Sequence, residues 1–203
     1  RVGATGLWQF MFNTAKDLDL KVNSYVDERM DPIKSSEAAA KYLSELYARF
    51  NDWNLAIAAY NYGPGNIRRA IKASGYSNFW NLRGYLPKET ANYVPSFIAT
   101  LYLFEFAHKH EIKKMTKEMA LDLTDSIPIK KMVSFSHISD KIDISIETLS
   151  FLNPSYIHSI IPSVKNKQYY LTLPQGHTDI FTEKEVCLLY TSDAADDTLW
   201  GGR

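Results

Sequence analysis

Along the first ~110 residues the apolar positions recur every three or four places, the spacing of a helix face. In "SSEAAAKYLSELYARF" (35–50), Ala39, Leu43, Leu46, Tyr47 and Phe50 fall at i, i+4, i+7, i+8 and i+11. That is one stripe of a helix, with Ser35 or Ser36 as the expected N-cap. "DWNLAIAAYNYG" (52–63) predicts a shorter helix capped by Asp52, whose Ala56, Ala58 and Ala59 permit close packing. Gly63-Pro64-Gly65 stops it, and Pro64 suits the opening of the next helix, "GNIRRAIKAS". A long helix is expected from about Lys88 to His110, with Tyr93, Phe97, Leu101 and Phe104 on one side. Pro95 either kinks it or sits within its first turn or two, because proline lacks a backbone donor. "MFNTAKDLDL" near the start predicts one more helix. No segment here alternates with period two, so this part reads as all-α.

The pattern changes near Lys113. "EIKKMTKEMALDLTDS" is polar and charged, as a connector would be. "IPIKKMVSFSHI" (127–138) is rich in β-branched and aromatic residues and predicts a strand followed by a turn or helix start. "SHISDKID" and "SIETLSFLNPS" predict short helices. Ser145 caps the second, Ile146, Leu149 and Leu152 form its apolar side, and Asn153-Pro154 ends it. "KQYYLTLP" (167–174) predicts a closing strand that meets Pro174. The expected organisation is a helical domain over 1–112, a linker over 113–126, a small α+β domain with the order strand, helix, helix, strand over 127–176, and a tail over 177–203. The last stretch, "CLLYTSDAADDTLWGGR" (187–203), has no cap logic and no sustained period. It resembles an out-of-frame or adapter-derived tail; the alternative is an ordinary disordered C-terminus.

Composition narrows the function classes. Of 203 residues, 45% are apolar, which is globular and not disordered. Net charge is zero and the pI is near 7.1, which argues against a nucleic-acid binder relying on bulk positive charge. No apolar run approaches the ~18 residues of a membrane span. The chain opens on Arg1 without Met, so upstream sequence is expected, and the lack of a leader carries no message about compartment. Cys187 is the single cysteine, so neither an intrachain disulfide nor a thiolate metal cluster can form. The five histidines are His108, His110, His137, His158 and His177. The first two, two residues apart, point to different helix faces, and no HExxH occurs, so neither a metal site nor a cofactor is expected. A GxSxG elbow is absent, and "GPGN" lacks the lysine and spacing of a phosphate loop. Thirteen Tyr, ten Phe and four Trp suit sugar stacking as well as core packing.

The glycine-rich opening "GATGLWQFM" (3–11) admits two readings. Gly3 and Gly6 allow backbone to approach a ligand, Gln9 offers a donor and an acceptor, and Trp8, Phe10 and Met11 form an apolar wall. Alternatively it is a turn and a first helical turn with Trp8 and Met11 packed inward. Tyr60 and Asn61 of "AYNYGPG" are either site residues or a helix C-cap, since Asn tolerates the left-handed conformation. Tyr93 of "ETANYVP" is either a site residue or a core aromatic with a satisfied hydroxyl.

The three segments "GATGLWQFM", "AAYNYGPGNIRRAI" and "ETANYVP", in this order and at roughly this spacing, resemble the lytic murein transglycosylases of the goose-lysozyme-like group. The likeness is closest to the membrane-bound D type. "DERMDPIKSSEAAAKYLSELYARFNDWNLAIAAYN" looks like that family throughout, so the resemblance covers about residues 1–108. It implies a lysozyme-like helical fold with a long glycan groove. It implies cleavage of the β-1,4 bond between N-acetylmuramic acid and N-acetylglucosamine, leaving a 1,6-anhydromuramyl end. One Glu then serves as general acid and afterwards as base for the sugar's own 6-hydroxyl, the nucleophile being intramolecular. An apolar groove would raise the pKa of such a Glu.

In the family that Glu lies in a Glu-Ser motif somewhat over ten residues before the glycine-rich opening. It is therefore expected upstream of Arg1, and this stretch alone is expected to be inactive. Glu28, Glu37, Glu45 and Glu89 are the candidate stand-ins; Glu37 and Glu45 read as solvated, and Glu89 as a carboxylate near a helix start. By the resemblance, Gln9 and Met11 line the groove near the acetamido groups and Tyr60 shapes its floor. Asn61 bonds a substrate amide or fixes the Glu, and Tyr93 is a supporting residue that orients the acid. Two departures are Phe12, where the family often has Pro, and Tyr62, where a small residue is usual and where a tyrosine could narrow the groove.

"ISDKIDISIETLSFLNPSYIHSIIPSVKNKQYYLTLP" resembles a divergent LysM module, a βααβ unit that binds glycans containing N-acetylglucosamine. The usual Gly-Asp-Thr is absent, with "FSHIS" in its place, so a structural spacer is the alternative to glycan binding. The implied partner is the peptidoglycan glycan strand, with no nucleic acid, in the periplasm or cell envelope. The D-type likeness leaves room for membrane anchoring through an upstream segment. Two other functions stay open: a non-catalytic peptidoglycan- or N-acetylglucosamine-binding protein, and a goose-type lysozyme hydrolase.

Overall fold

The computed structural model describes residues 3–112 and 123–184; residues 185–203 of the expected tail, with Cys187, and most of the expected linker lie outside the described residues. The chain divides into two compact units, Arg1–Ser36 with Glu118–Arg203, and Glu37–Lys117.

In the first unit a short loop closed by a Thr5–Phe10 bridge leads into α1 (Phe12–Asp17). An irregular segment follows, and then α2 (Pro32–Phe50) begins. Its cap is Asp31, whose Oδ1 accepts from the backbone N–H of Ile33 and Lys34. Pro32 takes the first helical position, where its missing N–H would have no partner anyway. The expected caps, Ser35 and Ser36, stand inside the helix instead and return their hydroxyls to the carbonyls of Asp31 and Pro32.

The second unit is all helical. The stripe expected on α2 holds: Ala39 and Leu46 are buried and Leu43, Tyr47 and Phe50 are half-buried. Asp52 caps α3 (Trp53–Tyr62) by accepting from the N–H of Asn54 and Leu55. Gly63, at φ 91°, turns the chain sharply so that α4 (Pro64–Ser74) starts at once. After α5 (Phe79–Leu82) and a 3-10 turn comes α6 (Lys88–Glu105), followed by a second 3-10 turn over Ala107–His110. The core gathers Leu46, Leu55, Ala56, Ala58, Ala59, Ile67, Phe79, Leu82, Leu86 and Val94. The alanines of α3 let α4 and α6 pack closely against it, as their spacing promised. On α6 the buried positions are Thr90 and Val94, whereas Tyr93, Phe97, Leu101 and Phe104 are exposed.

The remainder of the first unit is a small α+β domain. Strand β1 (Thr124–Ile129) begins within the stretch expected as a connector. It pairs antiparallel with β4 (Tyr169–Pro174), from Thr124 opposite Pro174 to Ile129 opposite Tyr169. A second two-stranded pair joins β2 (Val133–Ser134) to β3 (Ile160–Ile161). Between them lie α7 (Phe135–Ile142) and α8 (Ile146–Leu152), capped by Ser134 and Ser145 through the N–H of His137 and Thr148. In β4, Tyr169, Leu171 and Leu173 are buried and Tyr170 is exposed, the period-two pattern of a half-buried strand. On α8, Leu149 is fully buried while Ile146 faces outward. Residues 177–184 are helical and contribute Phe181 to the core. That core also takes in Val26, from the irregular segment before α2.

Candidate functional site

At the C-terminal end of α3, Tyr60 and Asn61 meet the first turns of α6. Thr90 is 1% exposed, and its hydroxyl donates to Oδ1 of Asn61 at 2.8 Å. The Nδ2 of Asn61 donates in turn to Oε1 of Glu89 at 3.3 Å. The amide is thereby oriented by a buried hydroxyl on one side and a carboxylate on the other. Tyr60 and Tyr42 stand ring to ring at 5.7 Å. The Tyr60 hydroxyl is pushed well above the usual phenol range, first by burial and then by the nearby phenols of Tyr93 and Tyr42. Burial also raises Tyr93, although its ring is 39% exposed. Tyr60, Asn61 and Tyr93 thus share one corner of the second unit. Tyr62 packs against that unit's core.

Gln9 and Met11 belong to the first unit. The loop turns between Gly6 and Gln9, with the backbone N–H and the Nε2 of Gln9 both donating to the Gly6 carbonyl, at 3.2 and 2.7 Å. Gln9 itself has φ 50°, the left-handed region, and is exposed. Gly6 is required: at φ 79° an added Cβ would lie 1.8 Å from the Arg29 carbonyl oxygen. Trp8 donates its Nε1–H to Ser36 Oγ at 2.8 Å, and Phe10 is buried. Met11 precedes α1 and is 50% exposed, not packed inward.

Among the four carboxylates considered, Glu28 is buried, accepts the Lys21 N–H at 2.7 Å and pairs with Lys34 Nζ at 2.7 Å. Glu37 and Glu89 are exposed and Glu45 is half-buried.

Two structural features escaped the sequence reading. Thr90 sits three residues before Tyr93, and that spacing puts it on the same side of α6, a signal available in "ETANYV". Asp27 and Arg29, both buried, form an ion pair at 2.6 Å. A turn brings them together, with the Met30 N–H donating to the Asp27 carbonyl and the Arg29 N–H to Oδ1 of Asp27, both at 3.1 Å.

Residues 1–83 match the family "Transglycosylase SLT domain", and residues 123–188 match "Lytic transglycosylase MltD, LysM-like domain". The first match runs through both compact units and ends before α6. The membrane-bound lytic murein transglycosylase D of Escherichia coli (strain K12) is 29% identical over 204 residues, covering 96% of this chain. The protein of the same name from E. coli O6:H1 (strain CFT073) matches equally. The chain spans 44% of the length of these relatives. A putative tributyltin chloride resistance protein of Alteromonas sp. (strain M-1) is 42% identical over 69 residues, 34% of this chain and 33% of that protein. Among the described residues no helix is long and apolar enough to cross a membrane. The chain is thus similar to an SLT domain at one end and to the LysM-like domain of a lytic transglycosylase at the other, and it aligns with a D-type enzyme along nearly its whole length.

Proposed function

We propose that this chain is part of a peptidoglycan lytic transglycosylase of the bacterial envelope, cleaving the β-1,4 bond between N-acetylmuramic acid and N-acetylglucosamine to leave 1,6-anhydromuramyl ends. In this reading Gln9 and Met11 contact the glycan strand. Tyr60 shapes the groove floor, Asn61 holds a substrate amide or the acid, and Tyr93 orients the acid. The observation that carries it is the meeting of the "AYN" and "ETANY" motifs: Thr90 and Glu89 orient the Asn61 amide within the corner that Tyr60 and Tyr93 share. Their phenols remain neutral, as hydrogen-bonding partners of a carboxylic acid must.

The general acid in this reading is a Glu on a Glu-Ser motif upstream of Arg1. The carboxylates in hand suit the role poorly: Glu28 is committed to lysines, Glu37 and Glu89 are exposed, and Glu45 is half-buried. Without its acid a glycosidase loses at least the ~10²–10⁴-fold that proton transfer supplies. The test is turbidity loss of purified cell walls, with mass spectrometry of the products. The full-length protein should release anhydromuropeptides, and residues 1–203 alone should release none. Products one water heavier would make the enzyme a hydrolase instead, and robust release by residues 1–203 would overturn the upstream acid.

A further inference from the structure

We propose that Arg29 is the positioning residue of the Gln9 loop, and that the LysM-like domain holds it in place through the segment 25–29. The guanidinium divides its donors. Nε and Nη2 grip Asp27 at 2.9 and 2.6 Å, while Nη1 donates to the carbonyls of Gly3 at 2.7 Å and Phe10 at 3.0 Å. Those carbonyls are the two ends of the loop that presents Gln9. A planar five-donor fork reaches all four acceptors at once, which a point-charge ammonium cannot do. Both charges are buried, Arg29 at 7% and Asp27 at 6% exposure, and Asp27 raises the guanidinium's pKa further, first by hydrogen bonding. A buried pair with its remaining hydrogen bonds satisfied fixes geometry; with one partner removed it leaves an uncompensated charge.

The same segment is built into the LysM-like domain. Asp27 N–H donates to the Ser155 carbonyl at 2.8 Å, and Ile157 N–H donates to the Tyr25 carbonyl at 3.0 Å. These bonds flank an antiparallel bridge between Val26 and Tyr156, in the connection from α8 to β3. Val26 is 3% exposed and sits in the LysM-like core, and Tyr25 meets His158 edge to face at 6.3 Å. From that core to the Gln9 loop the path is therefore Val26, Asp27 and Arg29, with Gly6 resting on the Arg29 backbone. Of its own the loop has the Thr5–Phe10 bridge and the turn from Gly6 to Gln9, with Gly3, Gly6 and Gln9 all at positive φ. The LysM-like domain is thus a brace for a wall of the transglycosylase domain. That this wall contacts glycan rests on the function proposed above; the brace itself does not.

Hydrogen exchange read by mass spectrometry on the whole 203-residue chain tests the brace. Leu171→Ala opens a cavity in the LysM-like core. Residues 3–11 and 22–29 should then exchange about tenfold faster, in step with 123–184, while α3 to α6 keep their protection. Residues 3–11 keeping full protection while 123–184 lose theirs would overturn the proposal. Arg29→Lys preserves the charge and should leave 3–11 as fast-exchanging as Arg29→Met does; rescue by lysine would overturn the role of the fork. Titration with tetra-N-acetylchitotetraose separates the two readings. About tenfold weaker binding by Arg29→Lys supports both. Unchanged binding with a loosened loop supports the brace and removes Gln9 from the glycan contacts.

Discussion

The loop that carries Gln9 and the corner that carries Asn61 are held by opposite means. Asn61 and Tyr60 ride on α3, whose alanines pack against α6, and a buried hydroxyl and a carboxylate from α6 orient the amide. Gln9 rides on a turn whose two ends, the carbonyls of Gly3 and Phe10, accept from the guanidinium of a buried ion pair. Helix packing spreads its stability over many contacts, each small. A buried charge pair concentrates it in two side chains, so a single change removes most of it.

The sharpest way to break this contrast is Asp27→Ala. It leaves the Arg29 charge buried and unpaired, and it should destabilise the first unit by about 3–5 kcal/mol. Chemical denaturation followed by hydrogen exchange should show the loss in 3–36 and 123–184 and not in α3 to α6. Equal loss everywhere would mean that the two regions do not differ as argued. Thr90→Val, nearly the same shape, removes only the hydroxyl that orients Asn61. Its expected cost is about 1–3 kcal/mol, confined to the second unit, with weaker chitotetraose binding as the functional readout.

A smaller effect appears only in alkali and is shared by both units. Burial pushes the Tyr156 hydroxyl up to about 12, and Tyr60 and Tyr93 are raised as well. With folded values above the ~10 of a free phenol, their contribution is complete below pH 10 and is lost as pH climbs from there toward the folded values. Tyr156→Phe should flatten the fall in stability between pH 10 and 12, measured as the slope of unfolding free energy against pH. An unchanged slope would exclude Tyr156 as its source. Smallest is Ser145→Ala, which deletes the cap of α8 and should cost about 1 kcal/mol in the thermal unfolding of the LysM-like domain. It leaves the Asp27–Arg29 pair untouched, so protection of 3–11 should barely change.

Much of this was legible in the chain. Asp52 and Ser145 cap the helices they were expected to cap, Gly63-Pro64 separates α3 from α4, and Tyr169 to Leu173 alternate as a strand should. Each of these rests on neighbours within about four residues. The start of α2 was misplaced because Ser35 and Ser36 are good caps in isolation, and nothing local announced that Asp31-Pro32 would outcompete them. The motif residues Tyr60, Asn61 and Tyr93 were found by likeness to a family, but the hydroxyl of Thr90 that orients Asn61 was not.

What the amino-acid order determined by itself is most of the elements, the caps of α3 and α8 and the buried stripe of α2, because helix and strand formation are governed by local geometry and by periodic burial. Only the tertiary structure decided that residues 3–36 join 123–184, that Arg29 closes the Gln9 loop, and that Asp27 hangs on Ser155. Those contacts end on backbone carbonyls. Every residue has one, so no side-chain pattern marks which distant carbonyl a buried guanidinium will find.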